Sequence, residues 1–184
     1  YQINPHFFMN TLNNIHALID IDTECAKSAV IELSKMMRYV LYDSGRELIP
    51  LNKDLQFLQN YIELMRIRYT DTVDIRVEYP HDLPEQVSIP PLLLIVFVEN
   101  AFKHGISYNR PSFIRLTAAY TEGRVRCTVI NSRHGGARQH GPGIGLENVR
   151  KRLALIYGEE NYSLEIREET DTYTANLIIP TRHA

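Results

Sequence analysis

The spacing of apolar residues changes near residue 72, and this change limits what the chain can fold into. In the first 69 residues, apolar side chains recur every three to five positions, as on one face of a helix, and no segment alternates convincingly as a strand does. Beyond residue 72, segments with strand-like alternation are separated by two helical stretches. The pattern predicts an α+β chain, with a helical region first and a layer of antiparallel sheet and helices after it.

The helical region divides into three predicted helices. The first covers about residues 7–19, and the second begins at Thr23, a candidate N-cap, and ends at Ser44-Gly45. Asp20-Ile21-Asp22 joins them into a helical hairpin, a unit that often pairs into a four-helix bundle. The third helix covers about residues 51–69. The apolar face predicted for the second helix consists of Ala26, Val30, Leu33, Met37, Val40 and Leu41.

The rest of the chain is predicted to form five strands and two helices. Thr121-Glu122-Gly123 separates two strand-like segments and predicts a hairpin. A helix is predicted from Pro90-Pro91 to about Gly105, and a second helix follows the glycine-rich loop at 135–143. The predicted strands are 73–79, 113–120, 124–130, 162–168 and 173–179.

Composition excludes several classes of function. The net charge is −2, so a direct nucleic-acid partner is not expected. Cys25 and Cys127 stand alone without metal-ligand spacing, which argues against a zinc site or a disulfide framework. The apolar run at 89–97 is too short to span a bilayer. Because the chain opens on Tyr1 inside a pattern already under way, we expect a fragment whose membrane segments lie upstream.

The first segment with potential chemistry is QINPHFFMNTLN at 2–13. His6 directly follows Pro5, which favours a helix start or a local distortion. An isolated histidine in this setting is most often a surface or capping residue. The alternative is a phosphoacceptor, because a neutral imidazole nitrogen is a competent nucleophile near neutral pH.

The second segment is the end of the apolar helix that starts at Pro91. Glu99, Asn100, Lys103 and His104 fall within slightly more than one turn, so they can face a common cleft. An amide oxygen is a hard ligand suited to Mg²⁺, and the cations suit phosphate. The alternative is a helix C-terminus whose cations simply favour the helix dipole.

The third segment is HGPGIGLENVR at 140–150, where glycines permit close backbone approach and the following helix offers free N–H groups to an anion. Alone, this pattern indicates a turn and a helix cap at least as often as a nucleotide site. It does not open a βαβ unit, and the chain has no P-loop, so phosphate binding would require a different fold.

Together and in this order, the three segments resemble the LytS/YehU-type sensor histidine kinases, whose ATP-binding domain belongs to the gyrase–chaperone–kinase–MutL (GHKL) superfamily. The resemblance spans nearly the whole chain and includes YIELMR at 61–66. It implies that His6 is the phosphoacceptor and that Asn100 binds Mg²⁺. The implied ATP-binding residues are Asn100, Lys103, His104, Asn131, Gly141, Gly143, Ile144, Gly145 and Leu146.

The resemblance also implies an architecture and partners. A helical phosphoacceptor and dimerisation region at 1–45 would precede a Bergerat-type α/β sandwich at 46–184, with a mixed, largely antiparallel sheet and a boundary between 45 and 70. ATP and Mg²⁺ would be the cofactors, under a lid at 132–140. The implied protein is a homodimer that passes the phosphoryl group to an aspartate of a response regulator with a DNA-binding output domain. It would be the cytoplasmic domain of a bacterial inner-membrane protein.

The chain departs from the family pattern at three positions. Asn131 stands where an aspartate normally accepts the adenine amino hydrogen, and an amide oxygen accepts that bond without the charge. Val96 occupies the usual position of a water-activating base, for which Glu99 is a candidate substitute. Phe7 follows His6 where commoner histidine kinases have an acid, so Asn10 is the nearest polar candidate for the proton partner of His6.

Two other functions remain open from the residues. The loss of charge at Asn131 is compatible with a signalling scaffold that binds nucleotide weakly, and a GHKL ATPase would use nucleotide to switch a partner. Asn10 lies one turn after His6 and is a candidate for orienting a water that dephosphorylates the partner aspartate. It is equally compatible with a hydrogen bond inside the bundle.

Overall fold

The computed structural model describes residues 5–69, 72–80, 83–134 and 144–183. Five helices lie in these ranges, and none of them is long and apolar enough to cross a membrane. The helices are α1 (Pro5–Ile19), α2 (Thr23–Tyr42), α3 (Leu51–Arg68), α4 (Ile95–His104) and α5 (Ile144–Tyr157). The strands are β1 (Ile49–Pro50), β2 (Val73–Glu78), β3 (Val87–Ile89), β4 (Ser112–Thr121), β5 (Arg124–Ser132), β6 (Ser163–Glu168), β7 (Thr172–Pro180) and β8 (Arg182–His183).

The predicted helical hairpin is present, but the start of α2 differs from the prediction. Asp22 is the N-cap, and its side chain accepts a 3.0 Å hydrogen bond from the backbone nitrogen of Cys25. Thr23 is therefore the first helical residue, and its hydroxyl instead donates to the carbonyl of Ile19. A carboxylate accepts a hydrogen bond from an N-terminal backbone N–H and is also stabilised by the positive end of the helix dipole. These two effects explain why Asp22, and not Thr23, is the N-cap.

The buried face of α2 is also different from the predicted one. Its fully buried residues are Ala26, Ala29, Leu33, Met36 and Tyr39. Val30, Met37 and Leu41 are between 48% and 71% exposed in the single chain. The helix therefore has two apolar faces. Only the face that packs against α1 and α3 is covered by this chain.

The main sheet has five strands in the order β2-β4-β5-β7-β6. β2 runs parallel to β4, and the other neighbouring pairs are antiparallel. The β4–β5 hairpin turns on Glu122 and Gly123, which have φ angles of 52° and 74°. Two consecutive positive φ angles match the twist of a tight hairpin. The prediction of an α+β fold with a mixed, largely antiparallel sheet is confirmed.

A small second sheet, in the order β1-β3-β8, is absent from the prediction. Its strands are two or three residues long, too short to produce a recognisable periodicity. Its middle strand, β3, is the element that precedes α4 along the chain. The helix α4 begins at Ile95 and not at Pro91, where the sequence predicted its start. Leu92 has a φ of 60°, and its backbone nitrogen donates to the buried carboxylate of Asp54, so this segment is held outside the helix.

Candidate functional site

A cavity of about 790 Å³ lies between α1, the last turns of α3, and α4. Its wall contains polar side chains from two of the three segments singled out in the sequence, together with the backbone of Gly145 from the third. The predicted site residues in the wall are His6, Asn10, Glu99, Asn100, Lys103 and Gly145. Residues from distant parts of the chain are thus brought to one space.

His6 and Asn10 reach the cavity from α1. His6 is in the first turn of the helix and is exposed, and Asn10 lies one turn later on the same face. The adjacent Phe7 is partly buried, with its ring 4.9 Å from the ring of Tyr61. Among the residues that the structure covers, none hydrogen-bonds with the Asn10 side chain, so the predicted bond within the bundle is not seen there.

Glu99 and Asn100 reach the cavity from α4. Most of α4 is buried, including Val96, Phe97 and Val98, whereas Glu99 and Asn100 are only partly buried. The helix therefore packs through its apolar residues and turns one polar edge toward α1. In this arrangement a carboxylate and an amide oxygen share a cavity with an imidazole.

Lys103 and His104 differ in their relation to the cavity. Lys103 is in the wall, and His104 is not. Burial, and then the positive charge of Lys103, lower the pKa of His104 below its usual value. His104 is therefore neutral near pH 7, and Lys103 is the cation on α4 that faces the cavity.

Asn131 is buried at the end of β5 and is not in the cavity wall. Its Nδ2 donates a 2.8 Å hydrogen bond to the carbonyl of Ser132. The hydroxyl of Ser132 in turn donates to the carbonyl of Gly105 at 2.6 Å. A Cβ at Gly105 would lie 2.7 Å from Cβ and Nδ2 of Asn131, so only glycine allows this approach. These contacts bring the end of α4 against β5.

The glycine-rich segment is described only in part. Gly141 and Gly143 lie outside the described residues, and Ile144 is the first residue of α5. A Cβ at Gly145 would be 3.6 Å from Cγ1 of Val96, which brings the start of α5 close to α4. Leu146 is 5% exposed and belongs to the core.

The predicted lid at 132–140 begins too early. Ser132 is a buried strand residue, and the described part ends at His134, whose Nε2 lies 2.9 Å from the hydroxyl of Ser112. Residues 135–140 lie outside the described residues. A lid at this position would therefore start after His134.

Three further residues at the cavity were missed by the sequence reasoning. The guanidinium of Arg68 lies over the ring of Tyr69, 5.2 Å from its centroid. The Tyr69 ring stacks on Phe102 at 6.2 Å, and Tyr108 is 79% exposed beside it. Helical periodicity marks buried positions and gives no signal for residues at the rim of a cavity. The succession of Arg68 and Tyr69 at the end of the third predicted helix was the only available cue.

The chemistry of the wall fits a magnesium nucleotide. In the part of the chain that the structure describes, no group of three or more His, Cys, Asp or Glu residues could hold a metal by itself. Mg²⁺ commonly binds through one or two protein oxygens together with waters and substrate phosphates. The amide oxygen of Asn100 beside the ammonium of Lys103 suits that mode of binding.

Comparisons with known proteins identify the family. The family model described as "Histidine kinase" matches residues 1–73. The Sensor protein LytS of Oceanobacillus iheyensis is 29% identical, over 99% of this chain and 34% of its own length. The Sensor histidine kinase/phosphatase LytS of Staphylococcus aureus (strain N315) is 31% identical, over 97% of this chain and 33% of its own length. The chain therefore spans about a third of these relatives.

Solved structures with the same fold are histidine kinases. The catalytic domain of histidine kinase ThkA superposes with a TM-score of 0.54 at 17% identity, covering 74% of this chain and 97% of that domain. The histidine kinase domain of the Erythrobacter litoralis EL346 blue-light activated histidine kinase gives 0.54 at 16% identity, covering 86% and 73%. These structures share the fold, and because the matched family region and the LytS relatives agree, the chain belongs to the LytS-type sensor histidine kinases.

Proposed function

We propose that this chain is the phosphoacceptor and ATP-binding core of a two-component sensor histidine kinase, and that it transfers the γ-phosphoryl group of ATP to His6. The observation that supports the proposal is the single cavity walled by His6 from α1 and by Glu99, Asn100 and Lys103 from α4. A nucleophile, an oxygen ligand and a cation for phosphate are the groups that phosphoryl transfer to histidine requires.

The proposed step is an in-line displacement at the γ-phosphorus. A ring nitrogen of His6 forms the new N–P bond as the bond from phosphorus to the bridging oxygen breaks, and ADP leaves with that bonding pair. The ring loses one proton in the process. Lys103 offsets the charge on the phosphoryl oxygens, and the shared cavity wall positions His6 near the groups of α4.

ATP and Mg²⁺ fit the site through a small set of residues. Asn100 would hold Mg²⁺ through its side-chain oxygen, and the metal when bound would neutralise phosphate charge. The start of α5 at Ile144 and Gly145 offers backbone N–H groups to the phosphates. Gly141, Gly143 and Leu146 complete the predicted glycine box, and His104 and Asn131 are proposed as more peripheral contacts to the nucleotide.

Labelling tests the proposal directly. The chain is incubated with Mg²⁺ and ATP labelled in the γ-phosphate, and label that is stable in base and lost in acid identifies phosphohistidine. We expect this label in the wild type and its absence in His6→Gln. His16→Gln is the matched control, since His16 lies on the same helix and outside the cavity wall. Undiminished label in His6→Gln would falsify the assignment.

Nucleotide binding separates this function from a scaffold. Calorimetry with a non-hydrolysable ATP analogue should show Mg²⁺-dependent binding in the wild type, weakened in Asn100→Ala, which removes the side-chain oxygen. Absence of binding at millimolar analogue would favour the degenerate scaffold. Steady ATP hydrolysis that persists in His6→Gln would favour an ATPase that switches a partner.

We propose Glu99 as the group that takes the proton from His6, because Phe7 cannot do so and Glu99 lies in the same cavity wall. Glu99→Gln should lower the labelling rate at saturating ATP by about a hundredfold while leaving analogue binding nearly unchanged. Asn10→Ala serves as the comparison, since Asn10 is the other polar candidate. A larger loss in Asn10→Ala than in Glu99→Gln would reverse the assignment.

We propose that two copies of the chain pair through their α1–α2 hairpins. Apolar side chains on these helices are about half or more exposed in the single chain, and burying them in a four-helix bundle removes apolar area from water. They are Met9, Leu12, Ile19, Val30, Ile31, Met37, Leu41 and Tyr42. Light scattering should report a dimer that Leu41→Glu dissociates and that Leu155→Glu, an 88% exposed position on α5, does not.

We propose that the phosphoryl group then passes to an aspartate of a response regulator with a DNA-binding output domain. The parent protein would be held in a bacterial inner membrane by upstream segments, with this chain on the cytoplasmic side and no direct contact to nucleic acid. The Staphylococcus aureus relative is named as a kinase and phosphatase. Asn10, in the cavity beside His6, would orient the water for the reverse reaction, and a regulator dephosphorylated normally by Asn10→Ala would exclude this role.

A further inference from the structure

Three aromatic rings connect the acceptor helix to the helix that carries Asn100. The Phe7 ring lies 4.9 Å from the Tyr61 ring of α3, and the Tyr61 ring meets Phe102 of α4 edge-on at 5.8 Å. Such ring contacts are favourable beyond the area that they bury. Because Phe7 is adjacent to His6, the ring contact fixes the position of the acceptor relative to α4.

A second set of contacts joins α2 to α3. Tyr39 of α2 stacks on Phe57 of α3 at 4.4 Å and donates a hydrogen bond to Asp54. Only residues 43–50 separate α2 from α3. The hairpin is thus packed on the α3 helix of its own chain, and α1 is packed on α2.

The result is that His6 and Asn100 of one chain share one cavity wall. If α1 met only the catalytic part of a second chain, neither the Phe7–Tyr61 contact nor this shared wall would form within one chain. The contacts lie beside the reacting group and bury Tyr61, which is 5% exposed. They are therefore a docking contact between the acceptor and its own catalytic domain.

We propose that autophosphorylation occurs in cis, so that His6 receives the phosphoryl group from the nucleotide bound by its own chain, with Phe7 and Tyr61 as positioning residues. The proposal rests on the proposed kinase function. It adds to that function the identity of the substrate chain and the contact that selects it.

Heterodimers of differently tagged chains test the route of transfer. The first pairs His6→Gln with Asn100→Ala, so each chain lacks one of the two required groups. The second pairs the wild type with a chain carrying both substitutions. Each heterodimer is co-expressed, purified through both tags, and incubated with labelled ATP and Mg²⁺.

The two routes give opposite results. Transfer in cis labels only the wild-type chain of the second heterodimer, at about half the labelling of the wild-type dimer, and leaves the first unlabelled. Transfer in trans labels the Asn100→Ala chain of the first heterodimer and leaves the second unlabelled, which overturns the proposal. If the wild-type dimer itself is unlabelled, the proposed kinase function fails, and this outcome is distinct from both. If the chain is monomeric, labelling per chain that is independent of concentration supports cis transfer, and labelling that rises with concentration overturns it.

The positioning role has its own readout. Tyr61→Leu and Phe7→Leu should each lower the labelling rate at saturating ATP by about tenfold, with ATP-analogue affinity unchanged within about twofold. Tyr61→Phe keeps the ring and should retain a rate well above that of Tyr61→Leu. The double variant Phe7→Leu/Tyr61→Leu should be no slower than either single variant, because both remove the same contact.

The same measurements of labelling rate and analogue affinity provide a control variant and the outcomes that would contradict a positioning role. Tyr120→Leu removes a partly buried tyrosine from β4, outside the cavity wall, and should leave the rate unchanged. A Tyr61→Leu chain that labels at the wild-type rate, or one that loses analogue binding in proportion to rate, contradicts a positioning role. The heterodimer result does not depend on these variants, so a variant that fails to fold leaves the test of cis transfer intact.

Discussion

The hydroxyl of Tyr39 on α2 donates a 2.5 Å hydrogen bond to Oδ1 of Asp54 on α3. The same oxygen accepts a 3.1 Å bond from the backbone nitrogen of Leu92, just before α4. Asp54 is 1% exposed, and no residue in the described ranges hydrogen-bonds with its Oδ2. One buried carboxylate thus joins the hairpin to the segment that positions α4. A movement of α2 would therefore displace the segment just before α4, the helix that carries Asn100.

Removal of this donor should destabilise the chain. Tyr39→Phe keeps the ring stacked on Phe57 and leaves Asp54 with one hydrogen bond fewer, so the free energy of unfolding should fall by about 1–3 kcal/mol. Urea denaturation followed by circular dichroism measures this. Tyr120→Phe is the control, because Tyr120 lies on β4, away from the hairpin, and is only partly buried. Equal stability of the two variants would mean that the bond contributes nothing net.

The same carboxylate should make stability depend on pH. Burial raises the pKa of Asp54 from 3.8 to about 6, so the folded chain binds its proton more tightly than the unfolded chain does. The contribution is fully present below about pH 4 and is lost as pH rises through about 6. Its size is on the order of 3 kcal/mol.

Comparison of pH profiles isolates this carboxylate. Denaturation midpoints of the wild type and Asp54→Asn are measured between pH 4 and pH 7. Asn cannot ionise but keeps an acceptor for Tyr39 and Leu92, so the difference in stability between the two chains should shift in favour of the variant as pH rises. A difference that is constant over this range would show that Asp54 titrates at its ordinary pKa.

Local sequence patterns were sufficient for most of the helices and strands of the fold. Neighbouring residues determine both the turn at Glu122 and Gly123 and the apolar periodicity of α3. Both predictions are confirmed. The start of α4 was predicted wrongly because it depends on Asp54, which lies 38 residues away from Leu92. The two apolar faces of α2 show the same limit of local patterns, because only one of the faces is buried within the chain. Periodicity identifies apolar faces, but the tertiary fold decides which of them is covered.

For the site, the sequence identified residues and the fold decided their relationship. Neither spacing nor composition could place His6 in the same cavity wall as Asn100, since that arrangement arises from packing of the hairpin on α3. Asn131 illustrates the opposite case. Its position next to Gly105 depends on strand β5 and the end of α4 meeting in space, and no local pattern predicts that.

The close approach at Gly105 gives a stability prediction. A Cβ there would lie 2.6 Å from the carbonyl oxygen of Ala101 and 2.7 Å from Asn131, so Gly105→Ala must displace α4 or β5. We expect a loss of about 2–4 kcal/mol in thermal or urea unfolding. Gly45→Ala is the matched control, because nothing lies within 4 Å of a Cβ at that glycine. A Gly105→Ala chain as stable as Gly45→Ala would contradict the packing.

A carboxylate at position 131 should be costly in this chain. Asn131→Asp replaces the donor to the carbonyl of Ser132 with a second acceptor 2.8 Å away, at a buried position. The unfolding free energy should fall by about 1–3 kcal/mol at pH 7 and by less at pH 4, where a larger fraction of the carboxyl is protonated. Asn176→Asp on the partly buried face of β7 is a comparison that lacks this clash. A more stable Asn131→Asp chain would show that the amide is not required.

Lys103 and His104 should differ sharply in their effect on nucleotide affinity, although they are adjacent. Lys103 lies in the cavity wall as a fixed positive charge, whereas His104 lies outside it with a lowered pKa and is neutral near pH 7. Lys103→Gln should raise the dissociation constant of an ATP analogue about tenfold and reduce its salt dependence, because one charge-assisted contact to phosphate is lost. His104→Gln should change the constant by less than about twofold, since it removes no charge. Titration calorimetry at two salt concentrations measures both. A greater loss in His104→Gln than in Lys103→Gln would contradict the assignment of Lys103 as the contact to phosphate.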